Sequence, residues 1–248
     1  PLKGELLFAG YLHELDYLDF GITPATPDFL LNTNLMPKID LKIDNARFGV
    51  VKLKNLKLYT KLLKNQSNSR FESDWVGGTI DVYHDNTTPV DVNLFYLDLS
   101  DRLMSPDNLF EDFDPRLLPN FDLNIDKLSF NQDDLGNLSF EFRSDEEKVA
   151  FKRIGGELLS LKMKSSDIHP SDFFWFYDGS VHRSKFTGLI SIGKIEEFFD
   201  VFEVPTPLDS ESGELLFSVD WDDKPWEIRK DNAMGELQID LYKGSFYN

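Results

Sequence analysis

The sequence contains no cysteine, which excludes disulfide bonds, thiolate metal sites and cysteine nucleophiles. It also lacks any run of about eighteen apolar residues, so no membrane-spanning helix is expected within it. The chain begins Pro1-Leu2, without an initiator Met or a signal-peptide pattern. We therefore expect it to be part of a longer protein, with any targeting or anchoring segment outside it.

Positive charge is also scarce. The chain has 26 Lys plus Arg against 44 Asp plus Glu, a formal net charge of −18. Phosphate backbones and anionic headgroups repel such a surface, so we predict no nucleic-acid partner. The composition is nevertheless 41% hydrophobic, with 22 Phe and 8 Tyr, which excludes a disordered chain.

Residues that could carry chemistry are few and scattered. The four histidines share no metal-ligand spacing, and neither a Gly-x-Ser-x-Gly elbow nor a phosphate-binding glycine loop is present. The many carboxylates form no pair that the sequence singles out. We predict no catalytic residue, no metal site and no cofactor, and hence no enzyme. The histidines are His13, His84, His169 and His182.

Apolar and polar residues alternate repeatedly, the period of a strand with one buried face. Examples are IDLKID at 39–44 and FDLNID at 121–126, separated from later runs by Gly, Asn and Pro turn residues. The pattern predicts a mainly β fold built from a repeated antiparallel sheet. Short helices are predicted at 106–113, with Ser105 as N-cap, at 172–177 and at 194–202.

An internal repeat is the most informative feature of the sequence. Residues 35–58 align without a gap onto 117–140, at an offset of 119 − 37 = 82 between the two aligned prolines. Ten of the 24 aligned positions are identical. We predict that both segments form the same strand–turn–strand shape, with Asp40 and Asp122 at equivalent outward positions. The repeat also predicts two β units, 1–116 and 117–248, which continue into each other.

The carboxy-terminal third carries a family resemblance. GELLFSVDW at 213–221, KPW at 224–226, GELQIDL at 235–241 and KGSF at 243–246 resemble the end of YhdP-type AsmA-like proteins. In that family a strand ends in Trp, a tight turn ends in Pro, and a Gly-x-Leu strand closes on Gly-x-Phe. The turn here has Asp222-Asp223 where the family usually places a Gly before the Pro, which affects turn geometry.

The resemblance implies a periplasmic segment of a large protein anchored in the inner membrane of a Gram-negative cell. Its sheet is expected to form a curved, groove-like (taco-shaped) layer with a few short helices. The apolar groove would conduct phospholipid between the inner and outer membranes. The expected partners are phospholipid acyl chains and neighbouring β repeats of the full-length protein. The candidate lipid-groove face comprises Ile39, Leu41, Ile43, Phe121, Leu123 and Ile125.

Two other functions agree with the same pattern. The segment could be a scaffold of that envelope protein that touches no lipid, because alternation looks the same when the apolar face meets another sheet. It could also be a secreted β-sandwich that binds carbohydrate, and a jelly-roll glycosidase is a more distant alternative. Sugar stacking would use the four tryptophans, Trp75, Trp175, Trp221 and Trp226.

Overall fold

Strands dominate the computed structural model of the chain, which describes residues 5–17, 36–48, 51–85, 87–99, 115–159, 161–177, 181–194, 208–229 and 231–246. The only helix in these ranges is a 3-10 turn, Pro115–Leu117. Within them, no helix has the length and apolar character needed to cross a membrane. The strands are β1 (Glu5–Tyr17), β2 (Met36–Phe48), β3 (Val51–Leu62), β4 (Gln66–Glu72), β5 (Val76–Tyr83), β6 (Val90–Asp98), β7 (Phe121–Phe130), β8 (Asp133–Ser144), β9 (Lys148–Leu158), β10 (Leu161–Lys164), β11 (Asp172–Tyr177), β12 (His182–Ile192), β13 (Leu208–Asp209), β14 (Ser212–Trp221), β15 (Ala233–Tyr242) and β16 (Ser245–Phe246).

One sheet of fourteen strands contains nearly all of this structure. Its order is β1-β2-β3-β4-β5-β6-β7-β8-β9-β10-β12-β14-β15. β10 and β11 both lie between β9 and β12 and pair with different residues of those two strands. A separate pair, β13 and β16, forms a two-stranded sheet. The expectation of a mainly β fold is therefore confirmed.

The sheet is mixed, whereas the alternation had predicted antiparallel pairing throughout. β1 pairs parallel with β2, and β6 pairs parallel with β7. A parallel pair needs a connection of a dozen residues or more to return the chain to the same end of the sheet. Residues 18–35 and 99–120 provide that length. Alternation within a strand contains no information about the direction of its neighbour.

The repeat has the same pairing register in both copies over residues 39–43 and 121–125, and only the second copy shifts register after Ile125. In the first copy Ile43 faces Leu56, and in the second Ile125 faces Leu138, each 82 residues further on (125 − 43; 138 − 56). β3 and β8 differ by 82 at both ends (133 − 51; 144 − 62). The predicted strand–turn–strand equivalence is confirmed. The division of the whole chain at residue 116 stays a prediction.

The helix predicted at 172–177 is wrong, because these residues form β11. Five of its six residues are aromatic, and aromatic side chains favour the pleated, half-buried surface of a sheet. β11 is hydrogen-bonded on both sides, to β9 and β12. The other two predicted helices lie outside the described residues, apart from Lys194.

The largest buried cluster joins β2, β3, β5, β6 and β7, whose sequences put aliphatic residues on the same side of the sheet. Burial of aliphatic surface is the dominant favourable term in folding, and this chain, which has no cysteine, adds no disulfide to it. The buried members are Ile43, Ala46, Leu53, Leu56, Val76, Leu94, Ile125 and Leu128.

Candidate apolar face

One row of directly paired residues crosses thirteen of the fourteen strands of the sheet, all but β11, and contains only apolar side chains and glycines. We call it the central row. Because cross-strand partners lie on the same face, the row defines the apolar face of the sheet. Its members, from β1 to β15, are Gly10, Leu41, Leu58, Phe71, Gly78, Leu94, Ile125, Leu138, Gly156, Met163, Ile190, Leu215 and Ile239.

The opposite face is polar. The row next to the central row, displaced by one residue along each strand, points the other way because side chains alternate. From β2 to β8 it consists of Asp40, Tyr59, Arg70, Thr79, Asn93, Asn124 and Ser139. The two faces thus differ in chemistry over at least seven consecutive strands.

The six residues predicted from sequence all lie on this apolar face. Leu41 and Ile125 belong to the central row. Ile43 is a member of the largest buried cluster, and Leu123 packs against that cluster. Ile43 is 2% exposed and Ile125 3% exposed, whereas Leu41 and Leu123 are half-buried. The remaining two, Ile39 and Phe121, are half-buried and occupy equivalent rungs in the two copies of the repeat. Contact of these residues with lipid stays a prediction.

Five phenylalanines form a second row on the same face. Phe121, Phe142, Phe151, Phe173 and Phe186 pair directly across β7, β8, β9, β11 and β12. Their successive ring centroids are 4.6, 5.4, 5.8 and 6.0 Å apart. These separations lie in the range at which aromatic pairs attract beyond simple area burial. We call this set the phenylalanine row.

Two positions of the same rung are polar in the first copy of the repeat. Thr60 and Ser69 stand 82 residues before Phe142 and Phe151 (142 − 60; 151 − 69), and they too face each other directly. Thr60 Oγ1 lies 3.0 Å from Ser69 Oγ, a hydrogen bond between two half-buried side chains. The apolar face therefore contains hydroxyl groups in one copy and contacting aromatic rings in the other.

Two glycines of the central row allow neighbouring backbones to approach closely. A Cβ at Gly78 would lie 2.2 Å from the carbonyl oxygen of Asn93, and one at Gly156 would lie 2.3 Å from that of Asn137. Gly156 also has φ of 140°, which other residues rarely adopt. Glycine is required at both places, and the register of β5 against β6 shifts next to Gly78.

The apolar face is uncovered at both ends of the sheet. On β1, Leu6 is 39% and Phe8 51% exposed, and on β15, Leu237 is 61% and Ile239 42% exposed. The strands pair these residues with apolar-face positions on β2 and β14. Among the described residues, nothing covers these side chains fully.

Trp175 and Trp221 do not offer the exposed ring faces that a carbohydrate-stacking platform needs. Trp175 is 7% and Trp221 5% exposed, so both are core residues. The Trp221 indole Nε1 donates a hydrogen bond to the Lys224 carbonyl oxygen at 2.8 Å. Trp226 packs edge-on against Trp175, with centroids 5.7 Å apart.

The polar face carries charge pairs and shifted ionisable groups. Glu141 accepts hydrogen bonds from Arg143 at 3.2 Å and Arg153 at 3.0 Å. The Tyr83 hydroxyl donates to Asp91 at 2.9 Å, and this bond raises the pKa of Tyr83 because deprotonation would place two anions together. In the part of the chain that the structure describes, no three His, Asp or Glu side chains are grouped to hold a metal ion.

The YhdP protein family model matches residues 22–248, which include both copies of the repeat and the carboxy-terminal motifs. The chain belongs to the YhdP family. No curated protein and no solved structure matches it. Within this YhdP-family chain, β1 precedes the matched region, although it contributes Gly10 to the central row.

The sequence did not reveal the phenylalanine row or the hydroxyl pair. Phe142 lies in the alternating run LSFEF at 138–142, but its partners come from strands whose pairing order alternation does not specify. Phe173 lay inside a segment assigned to helix. The hydroxyl pair could have been found from the repeat, by extending the 82-residue offset beyond residue 58 to Thr60 and Ser69.

Proposed function

We propose that this chain is a segment of an envelope protein whose apolar β face conducts phospholipid between the inner and outer membranes. Membership of the YhdP family supports an AsmA-like lipid-transport protein. We further propose that the segment lies in the periplasm of a Gram-negative cell, within a larger protein anchored in the inner membrane. Its partners would be phospholipid acyl chains and neighbouring β repeats. It performs no catalysis in this proposal.

The central row is the observation that carries the proposal. It offers a path without a charged side chain from β1 to β15. Apolar burial is non-directional, and each CH₂ removed from water contributes about 0.8 kcal/mol. An acyl chain on such a face is held without a fixed position, so it can move along the row at little cost.

Irregular pairing favours a curved face. Register shifts occur at Gly77/Gly78 between β5 and β6, after Ile125 between β7 and β8, and after Ser139 between β8 and β9. Bulges increase local twist and bend the bulged strand. Repeated along a sheet, they would produce the concave groove proposed here.

A scaffold with a closed core is the main competing function. It requires a second layer over the apolar face, yet Phe8 and Leu237 are 51% and 61% exposed. Within the described part, the second sheet has two strands of two residues each. These observations favour a face that is open at both ends of the sheet.

Site-directed photo-crosslinking tests the proposal on the full chain. Leu58→Cys and Tyr59→Cys, each carrying a benzophenone, place the probe on opposite faces of β3, and no native cysteine competes for labelling. With phosphatidylethanolamine/phosphatidylglycerol vesicles, we expect lipid adducts at position 58 and few at 59, measured by mass spectrometry. Equal labelling, or none at either position, would contradict the proposal.

Leu123→Asp separates an open groove from a closed core. An unpaired carboxylate on a lipid path costs several kcal/mol to bring against acyl chains, so transfer should fail while an open, wettable face stays folded. In a packed core the same charge should unfold the protein. We expect a cooperative melt with loss of crosslinking. An unfolded variant, combined with no adduct at Leu41→Cys or Ile125→Cys, would support the scaffold.

A further inference from the structure

Four polar side chains interrupt the apolar face near one end of β3, β4 and β5. Ser69 and Ser67 share the face of Phe71, because they are two and four residues away on one strand. Thr60 faces Ser69, and His84 follows the last residue of β5. We call this set the hydroxyl notch: Thr60, Ser67, Ser69 and His84.

Isoleucines flank the Thr60–Ser69 pair along its rung. Ile39 faces Thr60 from β2, and Ile80 faces Ser69 from β5. Two residues before Thr60 on β3 lies Leu58, a member of the central row on the same face. A hydroxyl pair thus lies at the margin of an apolar surface, within the last few residues of β3.

The Thr60–Ser69 pair has one more O–H group than its mutual hydrogen bond uses. Two hydroxyls carry two O–H groups, and the 3.0 Å bond between Thr60 and Ser69 uses one of them. Ser67 Oγ lies 3.0 Å from His84 Nε2, and His84 Nδ1 lies 3.3 Å from the Lys64 carbonyl oxygen. A carbonyl only accepts, so Nδ1 carries a proton, and in the neutral imidazole Nε2 then accepts from Ser67. The spare O–H therefore belongs to Thr60 or Ser69.

The second copy of the repeat shows that this rung does not need hydroxyls for pairing. Phe142 and Phe151 occupy the same positions and pair in the same register. Part-buried hydroxyls cost desolvation that apolar side chains avoid. The polar pair is therefore a chemical difference between two otherwise equivalent places on one face.

We propose that the hydroxyl notch binds an ester carbonyl of a diacyl glycerophospholipid. The spare O–H of the Thr60–Ser69 pair donates to the carbonyl, and the acyl chain extends from it over Leu58 and Phe71. The inference rests on the proposed lipid path and deepens it. In this proposal a lipid is held in a fixed orientation at the first copy of the repeat. At the phenylalanine row, which has no hydroxyl donor, it is not held in a fixed orientation.

Matched lipids that differ only in the linkage provide the test. The full chain carrying benzophenone at Leu58→Cys is exposed to vesicles of diacyl phosphatidylglycerol or of its dialkyl ether analogue with equal chain length. The ether lacks the carbonyl acceptor. We expect about fivefold more adduct with the ester lipid, the ratio that one neutral hydrogen bond provides. In Thr60→Val/Ser69→Ala the ratio should fall to about one, with ether adducts retained.

Two further variants are controls for the side-chain hydroxyl and for its position on the apolar face. Thr60→Ser keeps the hydroxyl and should keep the preference, and Thr79→Val removes a hydroxyl from the polar face and should also keep it. Equal capture of both lipids by the parent chain would overturn this inference and leave the lipid path standing. A preference that survives Thr60→Val/Ser69→Ala would overturn it too. Capture of neither lipid would reject the proposed function itself.

Discussion

The two copies of the repeat have one backbone arrangement and two surface chemistries. Both pair their first two strands in the same register over 39–43 and 121–125, and the second copy adds a β-bulge after Ile125. On one rung, however, the first copy has Thr60 and the second Phe142. Shared aliphatic residues determine the register, because a one-residue slip would move them all to the wrong face. The remaining positions are free to differ in function.

Alanine at these equivalent positions should give the largest contrast. Phe142 is 1% exposed and stacks on Phe121, so Phe142→Ala should lower the free energy of unfolding by about 3–5 kcal/mol. Thr60→Ala loses one neutral hydrogen bond and should cost about 0.5–1.5 kcal/mol. Urea unfolding measures both. Similar losses at the two positions would mean that the rungs are not energetically distinct.

The shared positions should behave alike. Ile43 and Ile125 are 2% and 3% exposed and belong to the same buried cluster. Ile43→Ala and Ile125→Ala should therefore each destabilise by about 2–5 kcal/mol. Thermal melts on both variants check this. A loss confined to one of them would show that the copies contribute unequally to the core.

Glycines of the central row provide the next comparison. Gly78→Ala should destabilise by about 1–3 kcal/mol, because its Cβ would lie 2.2 Å from a backbone carbonyl that cannot move aside easily. Gly10 occupies the same row, and its added Cβ would meet only the Leu41 side chain at 3.4 Å. Gly10→Ala should therefore melt like the parent chain. If Gly78→Ala melts at the parent temperature, the close approach at β5 and β6 is not rigid.

Much of the fold follows from the sequence because alternation and the repeat are both local signals. They predicted β2, β3, β7 and β8, the strand–turn–strand shape that the two copies share, and the face on which Leu41 and Leu123 lie. Strand direction and order depend on connections and distant partners, so the parallel pairs were missed. β11 was mistaken for a helix because a short aromatic run has no clear period. The phenylalanine row required the strand order, which only the structure provides.

The smallest effect concerns two aspartates in turns, one in each part of the sheet. Asp85 accepts hydrogen bonds from the Thr88 hydroxyl at 2.7 Å and from the backbone N–H groups of Thr88 and Thr87 at 2.8 and 2.9 Å. These bonds favour the carboxylate and lower the pKa of Asp85 to about 2. Asp145 accepts backbone N–H groups from Glu147 and Lys148, which also lower its pKa.

Both carboxylates should stabilise their turns above the unfolded pKa of 3.8 and lose that contribution as the pH falls through their folded values. Because only Asp85 has a hydroxyl donor, we expect it to titrate at lower pH than Asp145 in a carboxyl-carbon NMR titration. Thr88→Val keeps the backbone donors and should move the pKa of Asp85 upward, toward that of Asp145. The pKa of Asp145 should stay unchanged in this variant and serves as the internal control. An Asp85 pKa that Thr88→Val leaves in place would show that the backbone N–H groups alone hold the carboxylate ionised, and that the two turns do not differ.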